Sequence, residues 1–397
     1  MSQMSQNAAR AGLFSAVSLA AVILTTMAMS RHDAPVPESA LPVEASASLH
    51  SGFGHLRLAP AATYANLTVY PVYAEGAAPA RPASPEFLTL AEGMDKGSVQ
   101  ARESDCSCSP IEAIPTNLPA GVTVPGPEVT NAEQGNEHRG ANLFMVTNIA
   151  PKPTYVPDGQ IIPGGGQDRG AAADTIIPAR SAQVNVAAFC VEHDRSTGPS
   201  NSFRKNVAIA IPSVRYAMQV VGEQQPVWNA VGVATKRFHA ATPTGTYATL
   251  IQNQSADAAV LPYTDALTVP IQAATPGRVI GVVAAINGHV VCADLYRNPE
   301  LFNQLWPSLL RSYALQAAMT KSANRQSVNQ ASAGKWLASL DNAPGTSSRA
   351  ATLTQVDRVS TQNGAGIRTA AITTTGCQHH LALLHEAFWT PAAVLTN

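Results

Sequence analysis

The alternation of apolar and polar positions sets out most of the predicted elements. After Asn66, Leu67 and Val69 alternate with Thr68 and Tyr70, the period-2 pattern of a short strand. Thr89 to Lys96 (TLAEGMDK) reads as a short helix, with Thr89 as cap and Glu92 closing a capping box. Leu143 to Asn148 predicts a strand, and the following run PKPTYVPDGQIIPGGGQDRG reads as turns. Gln183 to Glu192 (QVNVAAFCVE) is the best-alternating strand of the chain. Val184, Val186, Ala188, Cys190 and Glu192 share one face, so a face that starts apolar ends in a thiol and a carboxylate. Pro226 to Phe238 suits a helix, with Val227, Val231, Ala234 and Phe238 on one stripe.

Further along, Val279–Ile286 and His289–Tyr296 flank Asn287-Gly288, a pair suited to the positive φ angles of a two-residue hairpin turn. Asn298 caps a helix with Pro299 in its first turn, running to about Met319 with Pro307 inside it, and Lys335–Leu340 forms another short helix. Three weaker strands near Ala351–Ser360, Ile367–Thr375 and His380–Phe388 suggest an antiparallel meander with QNGAG at a turn. Strands and helices do not alternate as βαβ units. The predicted class is α+β, mostly antiparallel sheets with a few packed helices.

The N-terminus has a different pattern. Residues 13–29 (LFSAVSLAAVILTTMAM) carry no charge and follow Arg10, a length between a signal-peptide core of roughly 7–15 residues and a bilayer span of about 20. Ala28 and Ser30 give a small-x-small cleavage pattern. The expectation is a signal peptide or membrane anchor over 1–30, which places the body in the cell envelope, outside the cytoplasm. An Ala/Pro/Ser-rich flexible tether is expected over 31–63 and the main domain over 64–390, with a Pro/Gly-rich surface insertion at about 104–140.

Composition narrows the function classes. Lys plus Arg is 25 and Asp plus Glu 26, giving a net charge of −1, without the basic surplus of a nucleic-acid binder. Charged residues are 13% and hydrophobic residues 45%, enough apolar material for a core. The five cysteines (Cys106, Cys108, Cys190, Cys292 and Cys377) are an odd set, and Cys106-Ser-Cys108 has no second pair to complete a zinc site.

Two segments carry candidate chemistry. In Gly164-Gly165-Gly166-Gln167-Asp168-Arg169, consecutive glycines let backbone N–H groups approach an anion, and Arg169 can add a bidentate contact. It is neither a P-loop nor a dinucleotide fingerprint. The second, Cys190-Val191-Glu192-His193-Asp194-Arg195, packs a thiol, carboxylates, an imidazole and a guanidinium together. Glu192 on a core face needs a partner, and Arg169 or Arg195 can serve. His379, His380, His385 and Glu386 lack metal-site spacing, and Asp294 reads as a solvated or edge residue. There is no Gly-x-Ser-x-Gly and no internal repeat. No metal site or cofactor is expected.

The run DGQIIPGGGQDRGAAADTIIPARSAQVNVAAFCVEHDR resembles the ARPP-1 family, named for association with ADP-ribosylglycohydrolases and rhodanese-phosphatase proteins. The likeness continues through QQPVWNAVGVATKRF, CADLYRNPELF, LLRSYALQAAM and HHLALLHEAF. The resemblance implies an α+β domain linked to ADP-ribose-related systems, with Cys190 and Glu192 on the family's Cys-Val-Glu strand. Members tend to carry an acidic residue where this chain has Gln160, and Gln-Asn-Arg where it has Gln167-Asp168-Arg169. Together these readings predict an envelope-facing, tethered or secreted sensor or accessory module that binds a small anionic ligand of nucleotide or ADP-ribose type. Its expected contacts are Gly164, Gly165, Gly166, Gln167, Asp168, Arg169, Cys190, Glu192 and Arg195. The alternatives are a hydrolase of such compounds, with Glu192 or Asp168 as general base, and a structural or protein-interaction module.

Overall fold

Ordered strands begin before the alternation at Asn66. β1 (Leu56–Leu58) and β2 (Ala62–Tyr64) both pair with β3 (Leu67–Ala74), so the last residues of the stretch expected as a tether, from Leu56 to Thr63, carry short strands. The computed structural model describes residues 53, 55–74, 86–103, 142–273, 279–320, 328–341, 343–351, 354–362, 364–373 and 376–384. The expected export or anchor segment at 13–29, the tether up to residue 52 and the insertion at 104–140 lie outside the described residues.

β4 (Leu88–Thr89) leads into α1 (Leu90–Asp95). Its Thr89 hydroxyl accepts from the Glu92 N–H while the Glu92 carboxylate accepts from the Thr89 N–H, the capping box expected from the sequence. β5 (Val99–Glu103) and β6 (Asn142–Asn148) follow. The turn-rich run after β6 is not all turn: it contains β7 (Thr154–Val156), β8 (Gln160–Ile162) and β9 (Arg169–Ala171). β10 (Thr175–Ile177) and β11 (Ser181–Cys190) come next.

After β12 (Ala208–Ile209), α2 (Pro212–Tyr216) runs into a π-helical turn at Ala217–Val221, and α3 (Gln224–Arg237) buries the expected Val227, Val231 and Ala234. A 3₁₀ turn at Tyr247–Leu250 precedes α4 (Gln254–Ala273). β13 (Gly281–Ile286) and β14 (His289–Tyr296) form the predicted hairpin, with Asn287 at φ 52°. α5 (Pro299–Met319) is capped by the Asn298 side chain, which accepts from the N–H groups of Glu300 and Leu301. α6 (Gln330–Asp341) is longer than expected. The C-terminal meander gains a strand: β15 (Gly345–Ala351), β16 (Thr354–Thr361), β17 (Gly364–Thr373) and β18 (Gly376–Leu384).

Three sheets result among the described residues. The largest runs β1-β3-β13-β14-β18-β17-β16-β15, a second runs β12-β8-β9-β11-β6-β5, and a small one runs β10-β7-β4. Every pairing is antiparallel except β4 with β7. The class is α+β, as the pattern predicted.

The strands of the large sheet bury both faces. Leu67, Val69, Val282, Ala284 and Ile286 point into the main core with α3, α4 and α5. Tyr70, Val72, Val283, Ala293 and Leu295 pack on the other side against Trp336 and Leu337 of α6. The six-stranded sheet turns Val184, Val186 and Ala188 toward Leu90, Phe144 and Phe203, and Phe189 and Val191 toward the main core. Among the described residues no helix is long and apolar enough to cross a membrane.

At the centre of the main core lies a charge. Arg215 of α2 is 1% exposed and donates from Nε (3.1 Å) and Nη2 (2.8 Å) to Asp158, and from Nη1 (2.9 Å) and Nη2 (2.6 Å) to Asp294. The Gln219 amide also donates to Asp158, and the Tyr313 hydroxyl to Asp294. Asp294, expected as a solvated or edge residue, is fully buried, because β14 is an inner strand covered by α5. Gly159 turns the chain beside Asp158 at φ 71°, and a Cβ there would sit 2.6 Å from the Arg215 side chain. Burial pulls the guanidinium pKa down, but Asp158 and Asp294 outweigh it and hold it well above the ordinary value. Burial, and then the Asp294 charge, push the Tyr313 phenol well up.

Removing one member of a buried ion network leaves the others desolvated and unpaired. Arg215→Met is therefore expected to cost about 3–5 kcal/mol, read as a lowered midpoint in urea denaturation. A loss below about 1 kcal/mol, the scale of a surface pair, would show that the network does not hold the layers.

Candidate functional site

The β8–β9 connection is the glycine loop itself. β9 then pairs with β11 so that Arg169 stands opposite Cys190. The two segments singled out in the sequence are thereby neighbours, with the loop lying over the end of β11. Beyond Cys190 the chain leaves the sheet, and side chains replace the missing strand partners. The Gln224 amide accepts from the Cys190 N–H (3.0 Å) and donates to its carbonyl (2.7 Å). Gln167 Nε2 (3.3 Å) and Trp228 Nε1 (3.2 Å) both donate to the Glu192 carbonyl. The Val191 N–H donates to the Asp168 carbonyl at 2.9 Å.

Two arginines and three carboxylates then interlock. Arg195 donates from Nε to Glu192 at 2.8 Å, from Nη2 to Asp168 at 3.1 Å, and to the carbonyls of Gly165 (2.6 Å) and Gly164 (3.2 Å). Glu192 also accepts from the Asp168 N–H at 3.2 Å. Asp168 accepts from the Gly164 N–H at 2.6 Å and from the Thr246 hydroxyl. Arg169 donates to Glu103 at 3.0 Å and to the Cys190 sulfur. The second oxygen of Glu103 accepts from the N–H groups of Gly166 (3.0 Å) and Gln167 (3.3 Å). That approach requires glycine at 165, where φ is 56° and a Cβ would lie 2.6 Å from the Glu103 oxygen.

The structure thus brings all the predicted contact residues into one network and adds Glu103, Thr246, Gln224 and Trp228. Of the glycine N–H groups expected to cradle a bound anion, those of Gly164 and Gly166 are engaged by the carboxylates of Asp168 and Glu103, and that of Gly165 by the Ser202 carbonyl. Arg169, the expected anion contact, is 9% exposed, whereas the Arg195 side chain is 23% exposed. A signal for Glu103 exists in the sequence: in VQARE, period 2 sets Glu103 on the face of Val99 and Ala101, both buried.

Burial raises the Asp168 pKa. The bonds from Thr246 and Gly164 oppose that shift, and the Glu192 charge adds to it. For Arg195, burial alone would lower the pKa, but the hydrogen bond and charge of Glu192 outweigh it and raise it. Cys190 and Cys292 are buried and lie outside any disulfide. His193 is exposed, contacts Asp194 and meets the Trp228 ring edge-on at 4.3 Å between centroids. Cys106, Cys108, His385 and Glu386 lie outside the described residues. His379 and His380 are successive positions of β18. Among the described residues no group of three His, Cys, Asp or Glu is placed to hold a metal ion.

Fold and site together define an α+β domain with layered antiparallel sheets and an ion network where a β-hairpin loop meets a strand end. Residues 55–388 match the ARG and Rhodanese-Phosphatase-superfamily-associated Protein domain, and the chain belongs to this ARPP-1 family. No match is found among curated proteins or among solved structures.

The raised Asp168 pKa fixes a sign. A carboxyl that holds its proton more tightly folded than unfolded gives its full contribution below the unfolded value, about 3.9, and loses it as pH rises through the folded value. Asp168→Asn is uncharged throughout and escapes that loss. Its melting temperature relative to the native chain should improve as pH is raised from about 4 to 7. A pH-independent difference between the two proteins would contradict the assignment.

Proposed function

We propose that this chain is a binding module for a small anion of nucleotide or ADP-ribose type, seated where the Glu103 carboxylate now lies. The observation that carries this reading is the seat itself. Two successive N–H groups, Gly166 and Gln167, converge with the Arg169 guanidinium on one carboxylate, which is the arrangement that binds phosphate and carboxylate anions. Glu103 ends β5, the edge strand of its sheet, and is part-exposed. It can turn out as a ligand anion enters, and the charge of the interior is then unchanged by the exchange. Arg195, held by Asp168 and Glu192, supplies a second positive group at the rim. The uncharged stretch at residues 13–29 supports placing this module in the cell envelope, as a secreted or membrane-tethered sensor or accessory domain.

A hydrolase reading draws on one observation, the buried Asp168 with its raised pKa beside Glu192, either of which would serve as general base. Turnover of a nucleotide or ADP-ribose by the purified chain would establish that reading over simple binding.

The test is a thermal-shift titration with inorganic phosphate, nucleotides, ADP-ribose and sugar phosphates. A ligand at 100 times its Kd stabilises by about 2.7 kcal/mol. Arg169→Ala should weaken the bound anion roughly 10- to 100-fold, the worth of a charge-assisted contact. Glu103→Gln, which removes the internal competitor, should tighten it. A blank across the panel in both the native chain and Glu103→Gln defeats the proposal and favours an interaction module.

A further inference from the structure

A recess lies beside the Tyr247–Leu250 turn. It is a cleft of about 300 Å³ between β12, this turn, α4 and α5. That volume is at the lower end of small-molecule sites. Its lining includes the buried apolar Ile209, Leu250 and Leu315 and the polar Ser308, Asp257 and Arg311. Arg311 is out of character with its helix: the body of α5 is otherwise core-facing apolar and uncharged polar residues, and its other charge, Glu300, lies in the first turn. It donates to the Leu250 carbonyl at 3.0 Å and pairs with Asp257 at 2.7 Å, the two side chains being 27% and 54% exposed.

Tyr247 lines the cleft and is 1% exposed, and its oxygen accepts from the Ile211 N–H at 3.1 Å. Among the described residues the structure records no acceptor for its hydroxyl proton. The chemistry around the cleft is therefore a guanidinium and a phenol O–H as donors beside apolar side chains, with Asp257 as a well-solvated partner that an incoming anion can replace. We infer that this cleft binds a small organic carboxylate with an apolar body, the carboxylate on Arg311 and Tyr247 and the apolar part against Ile209, Leu250 and Leu315. The site is separate from the Glu103 seat and does not depend on it.

Hexanoate is a probe of suitable size, with hexanol as its uncharged counterpart. Ligand-observed NMR titration of the full chain should show hexanoate bound at least tenfold more tightly than hexanol. Arg311→Gln should remove that preference, Ser308→Phe should fill the mouth and abolish binding, and Asp257→Asn should strengthen it. Hexanoate binding that survives Arg311→Gln and is lost in Arg169→Ala belongs to the Glu103 seat and overturns this inference, so failure of the Glu103-seat proposal and failure of this one are told apart. Circular dichroism of each variant reports whether it has folded. Equal binding of hexanoate and hexanol, binding indifferent to Arg311→Gln in a folded variant, or no binding of hexanoate at all would overturn the inference.

Discussion

A guanidinium held between two aspartates, out of reach of water, is the constraint on which the rest of the molecule depends. Arg215 reaches Asp158 in the turn before β8 and Asp294 on β14, so one side chain ties the six-stranded sheet to the nine-stranded one through α2. Hydrophobic contact between layers is tolerant of small slides, whereas a fork of directed hydrogen bonds is not. The glycine loop follows β8 directly, so its position is set by the same fork.

The peripheral network has the same ingredients and different physics. Around Arg215 the carboxylates are fully buried, and exchange with solvent would leave charges unpaired at a cost of several kcal/mol. Around Arg169 and Arg195, Asp168 and Glu192 are buried as well, but Arg195 and Glu103 are partly exposed, and Glu103 sits at a sheet edge. A carboxylate there can leave into water at modest cost. One network defines the fold, while the other is able to change partners.

Much of this was legible in the chain because local chemistry decides it. Thr89 with Glu92, Asn287 with Gly288, and Asn298 with Pro299 each specify their own turn or cap within a few residues, and all three form as read. α4 escaped because Pro262 and Pro270 lie inside it, and proline ordinarily marks a helix end. β7, β8 and β9 escaped because three-residue strands stand on tertiary pairing and not on pattern. In the site, Arg195 and Glu192 were legible as neighbours in sequence, but Glu103 comes from a strand 66 positions before Arg169. Asp294 was misread for a related reason. Its meaning rests on a partner 79 positions away, and alternation along β14 alone does not reveal what covers the strand.

The central fork also has a history in time. A chain made from its N-terminus has Asp158 and Arg215 available to each other early, 57 positions apart, but Asp294 arrives 79 positions after Arg215, and Tyr313 later still. β3 waits still longer, since its neighbour β13 begins at Gly281. The large sheet therefore closes only when most of the chain exists, and closing such distant pairs is entropically slow. By this argument the large sheet completes late in synthesis, once β13 and β14 have arrived.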